Sequence, residues 1–364
     1  MHLLIATDAW RPQVNGVVTT LMHMRDELAG MGIDVTFITP DLFRKINCPG
    51  YPELKLALAR PTVVSRLIDA AAPDWIHIAT EGPIGWAARR HCMRRARVFT
   101  TSYHTRFPEY AAKIAGVPAF AAYWFERRFH GPSSGVMVAT GSFEADLRRR
   151  GFKRLMRWSR GVDVDRFQAR PVRHFGDGPV FLYVGRVSKE KNIEAFLEAA
   201  LPGRKVVVGD GPQLARLKQC YPEVLFTGAK FGLDLAEAYA SADVFVFPSC
   251  TDTFGLVLLE AMASGLPVAA YPVTGPVDIV ENGVSGILSD DIAQAACLAL
   301  KLDREAARSR ALTFSWRQSA KQFLDNINQA QAACNAQSAA AKTVASMRSQ
   351  ITTGLSTHIQ GHDP

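Results

Sequence analysis

The stretch from Val244 to Val268, VFVFPSCTDTFGLVLLEAMASGLPV, constrains the fold of this chain more than any other. A short apolar run, Val244 to Phe247, is broken by Pro248 and by the polar cluster Ser249 to Thr253. An apolar run of this length between turn signals reads as a strand buried on both faces, and so as part of a parallel sheet. From Phe254 to Ser264 the residue types favour helix, with Asp252 and Thr253 as capping candidates and Gly265-Leu266-Pro267 as the stop. A strand therefore delivers a carboxylate to the mouth of a helix. The start of a helix offers unpaired N–H groups and a positive dipole end, which suit a phosphate. Glu260 lies about 7.5 Å beyond Gly255 at 1.5 Å per residue, so two readings stand. Asp252 and Glu260 either bracket an extended diphosphate ligand or serve as an N-cap and a solvated helix residue.

The 364 residues are enough for two domains with separate cores. Apolar residues make up 48% and charged residues 21%, an ordinary globular balance that argues against a disordered or fibrous chain. No apolar run reaches eighteen residues, so no membrane-spanning helix is predicted. Met1 to Asp8 lacks a basic leader region and is expected to form a strand, not a signal peptide. Cys48, Cys92, Cys220, Cys250, Cys297 and Cys334 show no Cys-x-x-Cys pair and no regular spacing, which fits reduced thiols in a cytosolic protein. Cys250 is expected to act as a small buried hydrophobe. Residues 1–170 hold 25 Lys and Arg against 15 Asp and Glu, and the remainder 17 against 19, so the net charge of +8 belongs to the first half. That half is expected to meet an anionic partner.

Read in order, the chain opens with a strand from Leu3 to Thr7, a turn-rich loop from Trp10 to Gly16, a helix from Val17 to Ala29 and a strand from Ile33 to Thr39. This is a Rossmann-like opening without the Gly-x-Gly-x-x-Gly spacing. Asn15-Gly16 either brings a backbone N–H to a phosphate at the helix start or is a plain turn. Further strands are predicted at Asp74–Ala79 and Val98–Thr101, with helices around 60–72 and 84–95. His104 follows the second of these strands, where open α/β sheets bind ligands, and suits either a structural role or contact with a substrate hydroxyl. After a linker-like stretch at 168–178, a second domain opens with strand Val180–Val184, then Gly185-Arg186 and Lys191-Asn192. Arg186 and Lys191 place two cations behind a strand, where they can grip a diphosphate. Lys205–Val208 and Val224–Gly228 are further strands, and Gly209-Asp210-Gly211-Pro212 is a tight turn whose glycines admit close backbone approach.

Three motifs carry a family resemblance. Asp252-x7-Glu260 with Phe254-Gly255, Gly185-Arg186-x3-Glu190-Lys191-Asn192, and Ser102-Tyr103-His104-Thr105 resemble the donor-site signature of the retaining glycosyltransferases of family 4. Gly161-Val162-Asp163 with Phe167, and Phe314-Ser315-Trp316, resemble that family's domain-boundary element and terminal helix. The family usually carries Glu-x7-Glu, and Asp252 shortens the first carboxylate by one methylene. The resemblance covers about residues 3–330 and implies the α/β fold called GT-B: two Rossmann-like domains facing across a cleft, with a C-terminal helix crossing back to the first. The expected divisions are an acceptor-binding domain at 1–170, a nucleotide-sugar domain at 171–320, the end of the crossover helix at 321–334 and a mobile tail at 335–364.

The resemblance also implies roles. Arg186, Lys191, Gly16 and the start of the 254–264 helix would stabilise a leaving nucleoside diphosphate, with Asn15, Gly209, Gly211, Phe254, Gly255 and Leu256 around the donor. Asp252 would hold sugar hydroxyls, Glu260 the ribose, and His104 the sugar from the first domain. No cofactor and no metal are expected, since cations and a helix dipole supply the charge and no Asp-x-Asp stands at a strand end near the cleft; Asp163-Val164-Asp165 lies in the boundary element. The implied reaction moves a hexose from UDP-glucose, UDP-glucuronate or GDP-mannose to an acceptor hydroxyl with retention, giving an α-glycoside. A sugar-nucleotide epimerase, a non-catalytic nucleotide-sugar-binding protein and a polybasic membrane or nucleic-acid adaptor are the other readings, and the intact donor signature argues against the last.

Two basic, aromatic stretches bear on the acceptor: Pro108–His130, with Arg127 and Arg128, and 148–160, where Phe152, Leu155, Met156 and Trp158 alternate with seven basic residues. Either these are solvated helix faces, or they meet an anionic lipid surface with apolar anchors. The second reading predicts a lipid acceptor of diacylglycerol type and a peripheral protein on the cytoplasmic face of the inner membrane. Nucleic acid is not expected, because no groove-reading motif accompanies the charge.

Overall fold

The computed structural model describes residues 1–13, 15–48, 51–104, 106 and 118–336. Strands β1 (His2–Ala6) and β2 (Asp34–Ile38) are followed by a hairpin, β3 (Lys45–Cys48) and β4 (Tyr51–Ala57). Then come β5 (Trp75–Ile78), β6 (Phe99–Tyr103), β7 (Gly135–Val138) and β8 (Leu155–Arg157). The second half supplies β9 (Val180–Val184), β10 (Arg204–Val208), β11 (Leu225–Gly228), β12 (Val244–Phe247), β13 (Val268–Ala270) and β14 (Gly286–Leu288). Two six-stranded sheets result, ordered β2-β1-β5-β6-β7-β8 and β11-β10-β9-β12-β13-β14, and every pairing in them is parallel. Helices cover both faces. This is the expected α/β architecture of two Rossmann-like halves.

The apolar runs explain the layers. β9 (VFLYV) and β12 (VFVF) are buried at every position, because a parallel strand inside a sheet covered on both faces has no polar side. Phe245 and Phe247 enter one core, with Leu258, Leu259 and Met262 of helix Leu256–Ala263; Val244 and Val246 enter the opposite one, with Phe196 and Leu217.

The strand order fixes where a ligand can sit. In the first sheet β1 leads out to β2 on one side, and the chain returns from β2 through the hairpin to β5 on the other; in the second, β9 leads to β10 on one side while β12 lies on the other. Loops diverge at such a switch point and leave a crevice at the carboxyl ends of the strands. The first sheet's crevice lies between the loops after β1 and β5, and the second sheet's between those after β9 and β12.

A helix at 316–336 ties the halves together. Ser315 caps it, its Oγ accepting from the Gln318 N–H at 3.0 Å. Its apolar side, Ala320, Phe323, Ile327 and Ala330, packs in the first domain's core with Leu3, Ile5 and Trp158. Trp158 Nε1 donates to Ser319 Oγ at 3.1 Å, Ser159 N to Gln322 Oε1 at 2.7 Å and Asn326 Nδ2 to the Arg157 carbonyl at 2.7 Å. Residues 337–364, most of the stretch expected as a tail, lie outside the described residues.

One reading is corrected here. The basic stretch at 148–160 is not a lipid-facing element with apolar anchors: Trp158 and Phe152 are 0% and 5% exposed, and Leu155 and Met156 pack against the cores. The alternation arises because the edge strand β8 and its flanks send apolar side chains inward, while Arg148, Arg149, Lys153, Arg154 and Arg157 stay exposed. Arg160, the last basic residue of the run, is itself buried.

A Cβ on Gly161 would lie 2.2 Å from Trp316 N and 2.5 Å from the Ser315 carbonyl carbon, so only glycine lets the boundary element meet the start of the crossover helix. Gly161→Ala is therefore expected to cost roughly 1–3 kcal/mol in urea unfolding, the range for overpacking a tight contact. An unchanged midpoint would show that the helix start gives way freely.

Candidate functional site

Lys191 and Asp252 meet at the switch point of the second sheet. Lys191 follows β9 in a short 3-10 turn, Lys189–Lys191, and Asp252 follows β12; Lys191 Nζ donates to Asp252 Oδ1 at 2.6 Å, both side chains being about one-fifth exposed. The two loops are sewn together on either side of the pair. Asn192, in the left-handed region with φ 52°, donates from Nδ2 to the Pro248 carbonyl at 3.1 Å, and Thr251 Oγ1 donates to the Glu190 carbonyl at 3.2 Å. Arg186 lies in the same loop, with Nε 3.8 Å from Glu190 Oε1. The Tyr183 hydroxyl donates to the Arg186 carbonyl at 2.8 Å and holds the base of that loop.

The expected helix starts two residues late. Gly255, at φ 90°, takes the capping position, and neither Asp252 nor Thr253 bonds to the helix's first N–H groups. Asp252 is engaged by Lys191 instead, and Thr253 Oγ1 donates to the His104 carbonyl of the first domain at 2.6 Å. The early N–H groups of Leu256–Ala263 are thus left without a side-chain cap. Gly275, which opens the next turn, approaches the same loop: a Cβ there would stand 2.9 Å from the Phe254 carbonyl oxygen and 3.3 Å from that of Asp252.

Gly209 and Gly211 have a packing role that the sequence did not show. A Cβ on Gly209 would lie 1.8 Å from the Gly185 carbonyl oxygen, and one on Gly211 would lie 2.4 Å from that of Val187. The close approach these glycines permit is of one loop to another, so they shape the wall carrying Arg186 and Lys191. Cys250 is exposed on the β12 loop and is not the buried hydrophobe predicted, since Pro248 turns the chain outward before it.

Glu260 stands one turn into the helix, and the Tyr239 hydroxyl donates to its Oε2 at 2.9 Å. Burial pushes its carboxyl up from 4.5 to about 7, against opposing pulls from the Tyr239 hydrogen bond and the Arg166 charge. Tyr239, which the sequence did not single out, is buried between Phe167 and Phe245 and sets the orientation of this carboxylate.

The first domain supplies the facing half. Asn15 caps helix Gly16–Ala29, its side chain accepting from Val17 N and Val18 N at 3.0 Å each. A Cβ on Gly16 would touch Leu256 Cδ1 at 3.6 Å, which puts Gly16 directly opposite the start of the second domain's helix. Asp8, just after β1, is a residue the sequence did not flag. Its carboxylate accepts from Ile84 N at 2.8 Å and Gly85 N at 3.1 Å, capping helix Pro83–Arg94 from across the first switch point.

His104 follows β6. Arg160 Nη2 lies 3.2 Å from its Nδ1; a guanidinium can only donate, so Nδ1 accepts and the proton of the neutral ring sits on Nε2. Burial, reinforced by the Arg160 charge, holds His104 well below its ordinary pKa. Nε2 is a buried donor with no hydrogen-bond partner among the described residues. His104 is thus prepared to give a hydrogen bond, not to take up a proton. Arg160 is anchored by bonds to the Trp158 and Ser159 carbonyls at 2.6 and 3.0 Å and lies over the Trp158 ring. Its signal in the sequence was hidden, because it reads as one more cation in a basic run.

The domains also touch directly. Thr140 Oγ1 donates to the Thr253 carbonyl at 3.1 Å, Ser142 N to Asp278 Oδ1 at 2.9 Å, and Arg106 Nη2 to Thr274 Oγ1 at 2.8 Å. Gly16 and His104 from one side, and Lys191, Asp252 and the helix start from the other, therefore border one cleft. Asp163 and Asp165 do not join it as a metal pair; Asp163 accepts from Arg166 N at 3.0 Å and pairs with the Arg166 guanidinium.

The chain matches the Glycosyltransferase Family 4 model over residues 14–166 and the model described as Glycosyl transferases group 1 over 178–303. A GDP-mannose-dependent alpha-mannosyltransferase of Mycobacterium tuberculosis is 33% identical over 317 residues, spanning 79% of this chain and 83% of the relative. The chain belongs to glycosyltransferase family 4. An alpha-monoglucosyldiacylglycerol synthase of Streptococcus pneumoniae is 28% identical over 323 residues, 74% of this chain and 71% of that protein. Sucrose-phosphate synthase from Thermosynechococcus elongatus shares the GT-B fold, with a TM-score of 0.73 at 22% identity over 91% of this chain and 99% of that one. This member of the family is a glycosyltransferase that takes its sugar from a nucleotide sugar.

Glu260 yields a test of the site's electrostatics. Its folded carboxyl holds a proton, up to about pH 7, that the unfolded chain releases near 4.5, so its contribution to stability falls as pH rises across that window. Glu260→Gln mimics the protonated form. The melting temperature of the variant relative to the unaltered protein is expected to climb between about pH 5 and about pH 7.5. A difference constant with pH would mean that Glu260 titrates normally.

Proposed function

We propose that this glycosyltransferase moves a mannosyl or related hexosyl unit from a nucleotide diphosphate sugar to the hydroxyl of a membrane lipid, with retention and without a metal in the donor site. The observation that carries the donor half is the Lys191–Asp252 pair beside an uncapped helix start, with His104, whose Nε2–H has no partner among the described residues, joined to the same loop through its carbonyl. A diphosphate entering the cleft offers Lys191 and Arg186 a stronger acceptor than one carboxylate. Lys191 then passes from Asp252 to the phosphates and leaves Asp252 to take hydroxyl hydrogens of the sugar. The C1–oxygen bond to the β-phosphate breaks as the acceptor oxygen bonds to C1 from the same side. The acceptor's proton goes to the departing phosphate oxygen. Cations and helix N–H groups hold the charge that collects there, and His104 donates to a sugar oxygen.

GDP-mannose is the donor best supported, because the mannosyltransferase relative aligns over most of both chains, and UDP-glucose and UDP-glucuronate are the competitors. The diacylglycerol-type acceptor draws support from the glucosyldiacylglycerol synthase. A second support is helix Ala119–His130, which leaves Phe120, Trp124 and Phe125 at 77%, 58% and 39% exposure beside the exposed Arg127 and Arg128. Large apolar side chains flanked by cations suit an anionic lipid surface. We therefore assign the membrane contact to this helix, with the protein peripheral on the cytoplasmic face of the membrane. The rest of the expected stretch, 108–117, lies outside the described residues.

The test offers GDP-mannose, UDP-glucose and UDP-glucuronate to purified protein with vesicles that contain anionic lipid and diacylglycerol, followed by lipid extraction. A mannolipid with an α linkage is the expected product. A product from a uridine donor alone would overturn the donor reading, a β linkage would overturn retention, and donor conversion without acceptor would point to an epimerase. Lys191→Ala should lower kcat by a factor on the order of a hundred or more, the scale of losing a charge that stabilises a transition state, while leaving the melting temperature within a few degrees. Near-normal turnover would remove Lys191 from the mechanism.

A further inference from the structure

Beside the crevice of the first domain, beneath Tyr103, stands one cluster that the transfer proposed above does not use. Glu126 and His130 stand four residues apart on the inner side of helix Ala119–His130, each 1% exposed, and Glu81, in the loop after β5, closes over them with 24% of its side chain exposed. His130 Nε2 lies 3.3 Å from Glu81 Oε1 and 3.5 Å from Glu126 Oε2, and one ligand-type atom from each residue falls within 4.8 Å of the others. Neither oxygen of Glu126 has a hydrogen-bond partner among the described residues, and neither has His130 Nε2. A buried carboxylate lacking any hydrogen bond is costly, and calls for a partner of opposite charge.

The distances discriminate between partners. A charge-assisted N–H···O bond draws its atoms to about 2.7–2.9 Å, well inside both separations here. An imidazole nitrogen about 2.0–2.1 Å and a carboxylate oxygen about 2.0–2.2 Å from a tetrahedral zinc ion lie about 3.3–3.5 Å apart. The imidazole-to-carboxylate separations therefore match two edges of a zinc coordination tetrahedron. Charge agrees: two carboxylates face one imidazole, which brings at most one positive charge. A divalent cation balances them.

The surroundings also set the tautomer such a site requires. Ser133 Oγ donates to the His130 carbonyl at 2.8 Å, and Thr101 Oγ1 donates to Ser133 Oγ at 3.3 Å. With its own proton committed, Thr101 Oγ1 can only accept from His130 Nδ1, 2.9 Å away. Nδ1 thus keeps its proton, and Nε2 is the ring atom turned to Glu81 and Glu126, the one whose proton a metal ion would displace. This is the arrangement by which an outer hydroxyl orients a metal-binding histidine.

We infer that Glu81, Glu126 and His130 form a binding site for a first-row divalent cation, zinc fitting best, with three protein ligands and a fourth position on the Glu81 side. The cation would join the β5 loop to the helix whose opposite side carries Phe120, Trp124 and Phe125, and so hold that helix against the sheet. Neither the donor reading nor the lipid reading is needed for it, and it is tested without substrate.

The experiment strips the full-length protein with a chelator, dialyses it against zinc or cobalt, and measures metal content after gel filtration together with the cobalt absorption spectrum. One ion per chain, with a spectrum of nitrogen and oxygen ligands only, is expected. No retained metal overturns the site, and a sulfur-to-cobalt band places the ion on cysteines and overturns it equally. Glu81→Gln, at the rim, and Thr101→Val, which keeps all three ligands but loses the orienting hydroxyl, should each weaken zinc binding about tenfold or more, the scale of an outer-shell loss. Affinity unchanged in both folded variants contradicts the assignment.

Discussion

The site depends on a cation and an anion brought together from two loops. Lys191 ends the β9 loop and Asp252 lies in the β12 loop, and the strands that launch them are neighbours only because the sheet reverses its order there. The reversal opens a crevice, and the ion pair spans it. A partly buried ammonium at this place would meet a steep desolvation cost without a partner. Asp252 meets that need. In the proposed reaction a diphosphate would take over that role and release the carboxylate for the sugar.

The first domain answers with a neutral donor. Arg160 keeps His104 uncharged and directs its proton to Nε2, and Arg160 is itself held by carbonyls of the segment that the crossover helix binds. A chain of contacts thus runs from helix 316–336, through Trp158 and Arg160, to the His104 ring. The crossover helix thereby supports the position of His104 as well as joining the domains. An ordinary histidine beside a forming carbohydrate cation would gain charge as pH fell; this one stays neutral well below its usual range.

Much of this was legible in the sequence, and the failures share a cause. β9 and β12 announce themselves because a strand buried on both faces is apolar at every position, and Lys191 and Asp252 could be placed at strand ends from local pattern alone. The Lys191–Asp252 bond could not, since it spans 61 positions. β8 was hidden because an edge strand among arginines looks like a charged helix face, and the same disguise hid Arg160. Gly209 and Gly211 were identified as close-approach residues, but what approaches them is a neighbouring loop, which no local pattern reports. The Glu81–Glu126–His130 cluster was missed likewise: only Glu126 and His130 are near in sequence, and burial makes their chemistry notable.

Whether Lys191 exchanges Asp252 for the donor's diphosphate while Asp252 serves the sugar can be tested by one calorimetric comparison. Asp252→Asn and the unaltered protein would each be titrated with the free nucleoside diphosphate, which lacks the sugar. The account predicts binding as tight as in the unaltered protein or tighter, by up to about tenfold, because the variant frees Lys191 from a competing carboxylate. A loss of tenfold or more would contradict it, for Asp252 would then be holding the diphosphate site together and not waiting for the sugar.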